Sequence, residues 1–337
     1  MKYLRRTLFV VCMLLTVIGS IHAQGPNNSG TYYSSANGKS GAELKSALFA
    51  IISQKTVTRS YANLWNDFKT TDKRKDGKVW DMYSNATNFV FGTDQDKGNH
   101  PEEGYSYNRE HSFPNSWWGG TQDVPQYTDL FHLYPTDAFV NEQRSNYPFG
   151  ETNGNKYMSS GNFSKLGTCK TSGYSGVVFE PNDEYKGDFA RTYFYMVTRY
   201  EDVISSWSTA KKHTLSGNKY PAFQTWQLNM LMRWAENDPV SEKEVKRNRA
   251  VYGIQKNRNP FIDYPGLERF IWGDLKDQPF SYDQYSTANA IEEIPDVESP
   301  SSSVIYDLQG RRIDYQIDNR KLPCGVYIRN GKKFFVR

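Results

Sequence analysis

The sequence predicts an α+β fold, mainly helical, built around a compact strand–strand–helix unit, with small sheets and a short β tail. Three observations carry this. Apolar residues recur at helical spacing in several windows, as in Leu44, Leu48, Ile51 and Ile52 of residues 41–54. Strand-forming runs are short and bounded by Pro, Gly and Asn. Between them lies one stretch, Tyr107 to Glu151, dense in groups that do chemistry: Glu110, His111, Asp129, His132, Asn141, Arg144 and Asn146.

Residues 1–23 read as a secretory signal peptide. Lys2, Arg5 and Arg6 precede an apolar run from Leu8 to Ile18 that is too short to span a bilayer, and Ala23 suits the cut. Residues 24–283 form the main domain. Its first helix covers Gly41 to Gln54. A turn at Lys75-Asp76-Gly77 separates strand formers Val79-Trp80 from Phe89-Val90-Phe91. Residues 152–176, rich in Gly and Ser, read as surface loops. Phe179 to Arg199 starts a helix with Pro181 and Asp183 as signals, and Phe223 to Glu236 holds another. Asp238-Pro239 ends that one, and Ser241 with Glu244 forms a capping box for the next. Asn257 to Asp263 is turn-like. Residues 284–303, polar and Ser/Pro-rich, have linker composition. Residues 304–337 are short strands, with Asn330-Gly331 marking a hairpin.

Composition narrows the class. The chain has 337 residues, 24 Tyr, 19 Phe and 8 Trp, and a mean hydropathy of −0.75. The aromatic load can close a core, which excludes a disordered chain. The formal charge of +4 drops to about +1 without the three basic residues of the leader, so net charge alone does not argue for a nucleic-acid partner. Cys169 and Cys324 remain after the leader is cut. They can pair, but no disulfide framework is implied.

The central stretch carries the chemistry. Histidine is a natural general base near neutral pH. Phosphodiester hydrolysis also needs negative charge stabilised, which a hard divalent cation does. Mg²⁺ takes oxygen ligands and is often held by one or two protein groups. Glu110 and the side-chain carbonyl of Asn141 suit it. The thirty positions from His111 to Asn141 leave room for a strand, a loop with Gly119-Gly120, a second strand at Leu130 to Leu133, and a helix opening after Pro135-Thr136. Arg144 follows Asn141 by three residues and can meet phosphate. A histidine at such a place is also often structural. Adjacent Glu110 and His111 point to opposite faces of an ideal strand, so both serve one site only where the strand ends or bulges. His132 can instead join His111 as a zinc ligand, although no third ligand stands at a familiar spacing. Trp117 and Trp118 suit either base stacking or packing. A non-catalytic glycan-binding surface using the many Tyr and Trp is the remaining alternative.

Specific strings then match. Asn108-Arg109-Glu110-His111 with Pro114 and Ser116-Trp117, Asp129-Leu130, Val140-Asn141 and Arg144-Ser145-Asn146 resemble the endonuclease I family, exported bacterial nucleases with a ββα-metal (His-Me) finger. The likeness continues through Lys186-Gly187-Asp188-Phe189-Ala190-Arg191, Asp238-Pro239-Val240 and Asn257-Arg258-Asn259-Pro260-Phe261. The resemblance implies a secreted, Mg²⁺-dependent endonuclease (Mn²⁺ or Ca²⁺ being alternatives) acting on DNA and RNA and leaving 5′-phosphates. In it His111 is the base, and Glu110 and Asn141 hold the metal. Some family members place a catalytic arginine between the His and the Asn. Residues 112–140 here contain neither Arg nor Lys, so Arg109, Arg144 and Arg191 become the candidates for the phosphate. Residues 305–333 resemble the C-terminal sorting domain of the type IX secretion system, which implies export through the periplasm to the cell surface or medium. The chain is expected to act as a monomer.

Overall fold

The computed structural model describes residues 25–283 and Tyr285, together with four short strands between residues 305 and 336. The chain divides into two compact units, Met1–Ala290 and Ile291–Arg337. The signal peptide and nearly all of the expected linker lie outside the described residues.

The first helix, α1 (Gly41–Ile52), buries Leu44, Leu48, Ile51 and Ile52 as its spacing demands. Helix α2 (Leu64–Thr71) follows. The turn at residues 74–77 forms, with the Gly77 N–H on the Arg74 carbonyl at 3.0 Å. The flanking strands expected at residues 79–80 and 89–91 do not. They approach through the Val79 N–H on the Phe89 carbonyl, 3.0 Å, and Val79 bridges Lys73.

Strands β1 (Tyr107–His111) and β2 (Leu133–Asp137) pair antiparallel, one residue against one, from Tyr107 opposite Asp137 to His111 opposite Leu133. β2 starts three residues later than expected and runs through Pro135. In a two-stranded ribbon each strand is an edge, so a residue with no N–H is tolerated. Helix α3 (Ala138–Arg144) follows at once. Asp137 caps it, accepting the Val140 N–H at 2.9 Å.

Residues 152–176 are more than loops. They hold β3 (Tyr157–Met158) and β4 (Lys165–Thr168), which join β5 (Val177–Glu180) in an antiparallel sheet of order β3-β4-β5. Phe179 therefore lies in a strand. The helix behind it, α4 (Lys186–Arg199), begins at Lys186 and is buried along nearly its whole surface rather than on one face. A helix wrapped on all sides must pair its polar groups, and Arg191 does so with Glu244. Next come α5 (Thr225–Asn237) and α6 (Glu242–Gln255), the latter opened by the expected reciprocal Ser241–Glu244 capping box. Residues 260–263 make one helical turn, α7 (Pro260–Asp263), where a plain turn was expected. Asn259 caps it through the Phe261 N–H. Helix α8 (Leu267–Ile271) closes the helical set. No helix among the described residues is long and apolar enough to cross a membrane. Cys169 is a buried free thiol, and Cys324 lies outside the described residues.

In the second unit β6 (Ile305–Tyr306), β7 (Arg312–Ile313), β8 (Gly325–Arg329) and β9 (Lys332–Val336) form an antiparallel sheet of order β7-β6-β8-β9. β8 and β9 pair antiparallel with Arg329 opposite Lys332; the expected turn residues Asn330 and Gly331 lie outside the described residues.

Candidate active site

Strand β1 keeps its alternation to the end. Asn108 and Glu110 face α3: the Asn141 Nδ2 donates to Asn108 Oδ1 at 2.8 Å, and Arg144 Nη1 donates to Glu110 Oε1 at 2.7 Å. Arg109 and His111 face the other way, both onto Tyr61. The Arg109 guanidinium carbon lies 3.6 Å from the Tyr61 ring centre, and the His111 ring is near-parallel to it at 6.0 Å. No bulge interrupts the register, and His111 is the last residue of the strand. Glu110 and His111 are thus neighbours on opposite sides of a strand end.

His111 is packed among aromatics: Tyr61, Trp118, Tyr127 and His132 all have ring centres within 6.2 Å. Its Nε2 lies 2.8 Å from the Tyr127 carbonyl oxygen. A carbonyl only accepts, so Nε2 carries the proton and Nδ1 holds the lone pair. Nδ1 has no hydrogen-bond partner among the described residues and is not among the side-chain nitrogens sealed from solvent. Burial, then the neighbouring His132, pushes the imidazole down to about 3, so it stays neutral across the physiological range. A phosphodiester drawn against it brings negative charge and raises its proton affinity again.

His132 differs. It is fully buried, its Nε2 donates to the Gln126 carbonyl at 2.6 Å, and its Nδ1 is sealed without a partner. The described residues contain no cluster of three His, Cys, Asp or Glu side chains around the two histidines. This geometry does not support the zinc alternative.

On the other face Glu110 is buried. Its Oε1 accepts from Tyr83 Oη at 2.9 Å as well as from Arg144, and the Asn141 side chain lies against the same carboxylate. Burial pushes this carboxyl up above its ordinary value, and Arg144 with the donors from Tyr83 and Asn141 offsets only part of that rise. Neither of the two Oε1 bonds occupies Oε2, and no described hydrogen bond ends on Asn141 Oδ1. The Glu110 carboxylate and the Asn141 carboxamide therefore lie together, and their oxygens are of the hard kind that suits Mg²⁺.

The three arginine candidates part company. Arg144 is fully buried. Besides Glu110 it donates to the His111 and Ser112 carbonyls, and its ring neighbour is Phe149 at 5.0 Å. Arg191 is buried under α6 in a forked pair with Glu244 and donates to the Asp238 carbonyl. Neither guanidinium is placed to meet a substrate phosphate, which corrects the expectation for both. Being three residues from Asn141 put Arg144 on the right face of α3, but that face is roofed by β1. Arg109 is half-buried and reaches solvent. Trp117 is core and Trp118 is half-buried beside His111. Asp129 is also core: it accepts from Tyr195 and Tyr200 at 2.8 Å each. The residues that sequence reasoning did not single out are Tyr61, Tyr83 and Tyr127. They reach the site from loops with no spacing signal to announce them.

The family model described as Endonuclease I matches residues 40–266. An extracellular ribonuclease of Bacillus amyloliquefaciens is 38% identical over 248 residues, covering 72% of this chain and 78% of the relative. An extracellular ribonuclease of Bacillus subtilis (strain 168) is 37% identical over 247 residues, with the same coverage of both chains. An extracellular deoxyribonuclease of Aeromonas hydrophila is 26% identical over 137 residues, covering 40% of this chain and 49% of the relative. The chain belongs to the endonuclease I family and is a phosphodiester-hydrolysing enzyme.

Proposed function

We propose that this is a secreted, Mg²⁺-dependent, sequence-tolerant endonuclease that cleaves both RNA and DNA and leaves 5′-phosphate ends. The observation that supports it most is the His111 imidazole, locked by Tyr127 so that Nδ1 is the free base, at the strand end that also carries Glu110 against Asn141. The unit of β1, β2 and α3 would serve as a ββα-metal finger. Two relatives at 37% and 38% identity are named ribonucleases and two at 26% and 29% deoxyribonucleases, which supports a site tolerant of either sugar.

Glu110 and Asn141 would hold the cation, with Mn²⁺ or Ca²⁺ as substitutes. When bound it neutralises charge on the scissile phosphate. The protein's own groups do the rest. His111 Nδ1 takes a proton from water as the water oxygen bonds to phosphorus. The P–O3′ bond opposite breaks, and the departing 3′ oxygen takes a proton from solvent. The phosphate stays on the 5′ carbon of the downstream nucleotide. Arg144 favours the ionised form of Glu110 against its burial, and Tyr83 fixes its orientation. Affinity falls with salt because backbone phosphates supply most of it.

The C-terminal strands would act as the sorting signal read by the type IX secretion machinery. After removal of residues 1–23 the enzyme would pass through the periplasm and work as a monomer at the surface or in the medium.

The test incubates mature protein with supercoiled plasmid and with single-stranded RNA, with and without EDTA. Both substrates should be cut, EDTA should stop cleavage, and Mg²⁺ should restore it. Nicking that survives EDTA overturns the metal reading. No cleavage of RNA narrows the substrate to DNA.

A further inference from the structure

On the histidine face of β1 one guanidinium, that of Arg109, is left without a carboxylate among the described residues. Buried arginines in this domain are spoken for: Arg144 holds Glu110, Arg191 holds Glu244, Arg247 holds Asp72 and Arg258 holds Asp263. Arg199 makes no ion pair among the described residues but spends its terminal nitrogens on the Ser53 and Thr56 hydroxyls. Arg109 holds no carboxylate among the described residues. One of its N–H groups donates to the Tyr61 carbonyl at 2.8 Å. Its guanidinium carbon lies 3.6 Å from the Tyr61 ring centre and 4.4 Å from that of Trp65.

That arrangement has a specific physical character. A free arginine side chain is mobile and well hydrated. Two aromatic faces and one carbonyl fix this one in place without neutralising it. A fixed, uncompensated, half-exposed guanidinium is a preorganised anion site. It stands two residues before His111, on the same face of β1, and both lie over the ring of Tyr61. Glu110 and Asn141 occupy the opposite face.

We propose that Arg109 is a catalytic residue of this enzyme, gripping the scissile phosphate from the side opposite the cation. Tyr61 and Trp65 are positioning residues that hold its guanidinium in register. The proposal rests on His111 being the base. Charge on the non-bridging oxygens grows as the water oxygen bonds to phosphorus, so the grip tightens in the transition state and belongs in kcat more than in KM. Arg109 neither gives nor takes a proton.

The experiment is steady-state cleavage of a short fluorogenic RNA, and of its DNA counterpart, by the full mature chain with saturating Mg²⁺. Arg109→Ala should lower kcat roughly 10²- to 10³-fold, as loss of one transition-state donor does elsewhere, with KM changed little. Arg109→Lys should recover only part, since an ammonium lacks the planar fork. Guanidinium ion at tens of millimolar should raise the rate of Arg109→Ala and do nothing for His111→Ala. Trp65→Leu should lower kcat, with Trp65→Phe close to the unaltered enzyme. If Arg109→Ala keeps its kcat, or its loss sits wholly in KM, the proposal is overturned and Arg109 is at most a docking contact. If Arg109→Ala fails to fold, Arg109→Lys carries the same reading: full kcat in that variant overturns it. An active His111→Ala removes the underlying mechanism instead, so the two failures are told apart.

Discussion

The two faces of β1 are made of different materials. Toward α3 the strand presents Asn108 and Glu110 to Asn141, Arg144 and Tyr83, a polar set in which the buried positive charge has an acceptor. Away from α3 it presents Arg109 and His111 to Tyr61, Trp65, Trp118 and Tyr127, an aromatic set in which one cation has no carboxylate and one imidazole nitrogen no hydrogen-bond partner among the described residues. The closed face fixes geometry and offers oxygens. The open face keeps groups available to something that arrives from outside. Two arginines on neighbouring elements, Arg109 and Arg144, show the contrast most simply: one is satisfied and silent, the other is held still and unspent.

The largest expected effect breaks the open face. His111→Ala should lower kcat by about 10³-fold, within the usual range for removing a general base, while thermal stability changes little. The measurement is plasmid nicking beside a melting curve. An His111→Ala enzyme that nicks normally would move the base elsewhere. Next comes the closed face. Arg144→Met leaves Glu110 buried without its counter-charge. Breaking one side of such a pair costs about 3–5 kcal/mol, so the urea midpoint should fall sharply. Arg109→Ala gives up cation–π contacts worth about 1–2 kcal/mol and should shift the midpoint much less. The comparison would be wrong if Arg109→Ala proved the more damaging to the fold, or if Arg144→Met unfolded no more easily than the unaltered chain.

How far the sequence could see follows the same division. The order strand, loop, strand, helix and the place of Asn141 were legible because turn residues, Pro135 and a capping aspartate punctuate that stretch. The antiparity of Glu110 and His111 was legible too, since it needs only the period of a strand. The fate of Arg144 was not. A three-residue spacing says which side of α3 it occupies, but only the roof of β1 says that no solvent reaches that side. Tyr61, Trp65 and Tyr83 lie 28 to 50 positions before His111, and nothing local links them to it. The sheet of β3, β4 and β5 was missed because its first two strands are short and poor in β-branched residues. Pairing with Val177–Glu180, not propensity, makes them strands.

The smallest expected effect turns the comparison into an acid–base asymmetry. On the open side burial pushes His132 down to about 4, and His213, which packs on Trp117, also to about 4. An unfolded chain protonates these rings near 6.5, so between pH 6.5 and 4 it binds protons that the fold refuses, and stability drops as pH falls. Behind the closed side Asp81, whose carboxylate accepts the Asp137 N–H ahead of α3, is pushed up to about 7 by burial. Its unfolded value is near 3.9, so the fold holds a proton that the unfolded chain has lost, and stability from this group drops as pH rises from about 4 to 7. The two limbs partly cancel in a single curve, and substitution separates them. His213→Phe should flatten the acid limb of urea midpoint against pH while leaving the neutral limb in place. If His213→Phe loses stability on acidification as steeply as before, His213 does not contribute to the acid limb, which then rests on His132 and the other titrating groups.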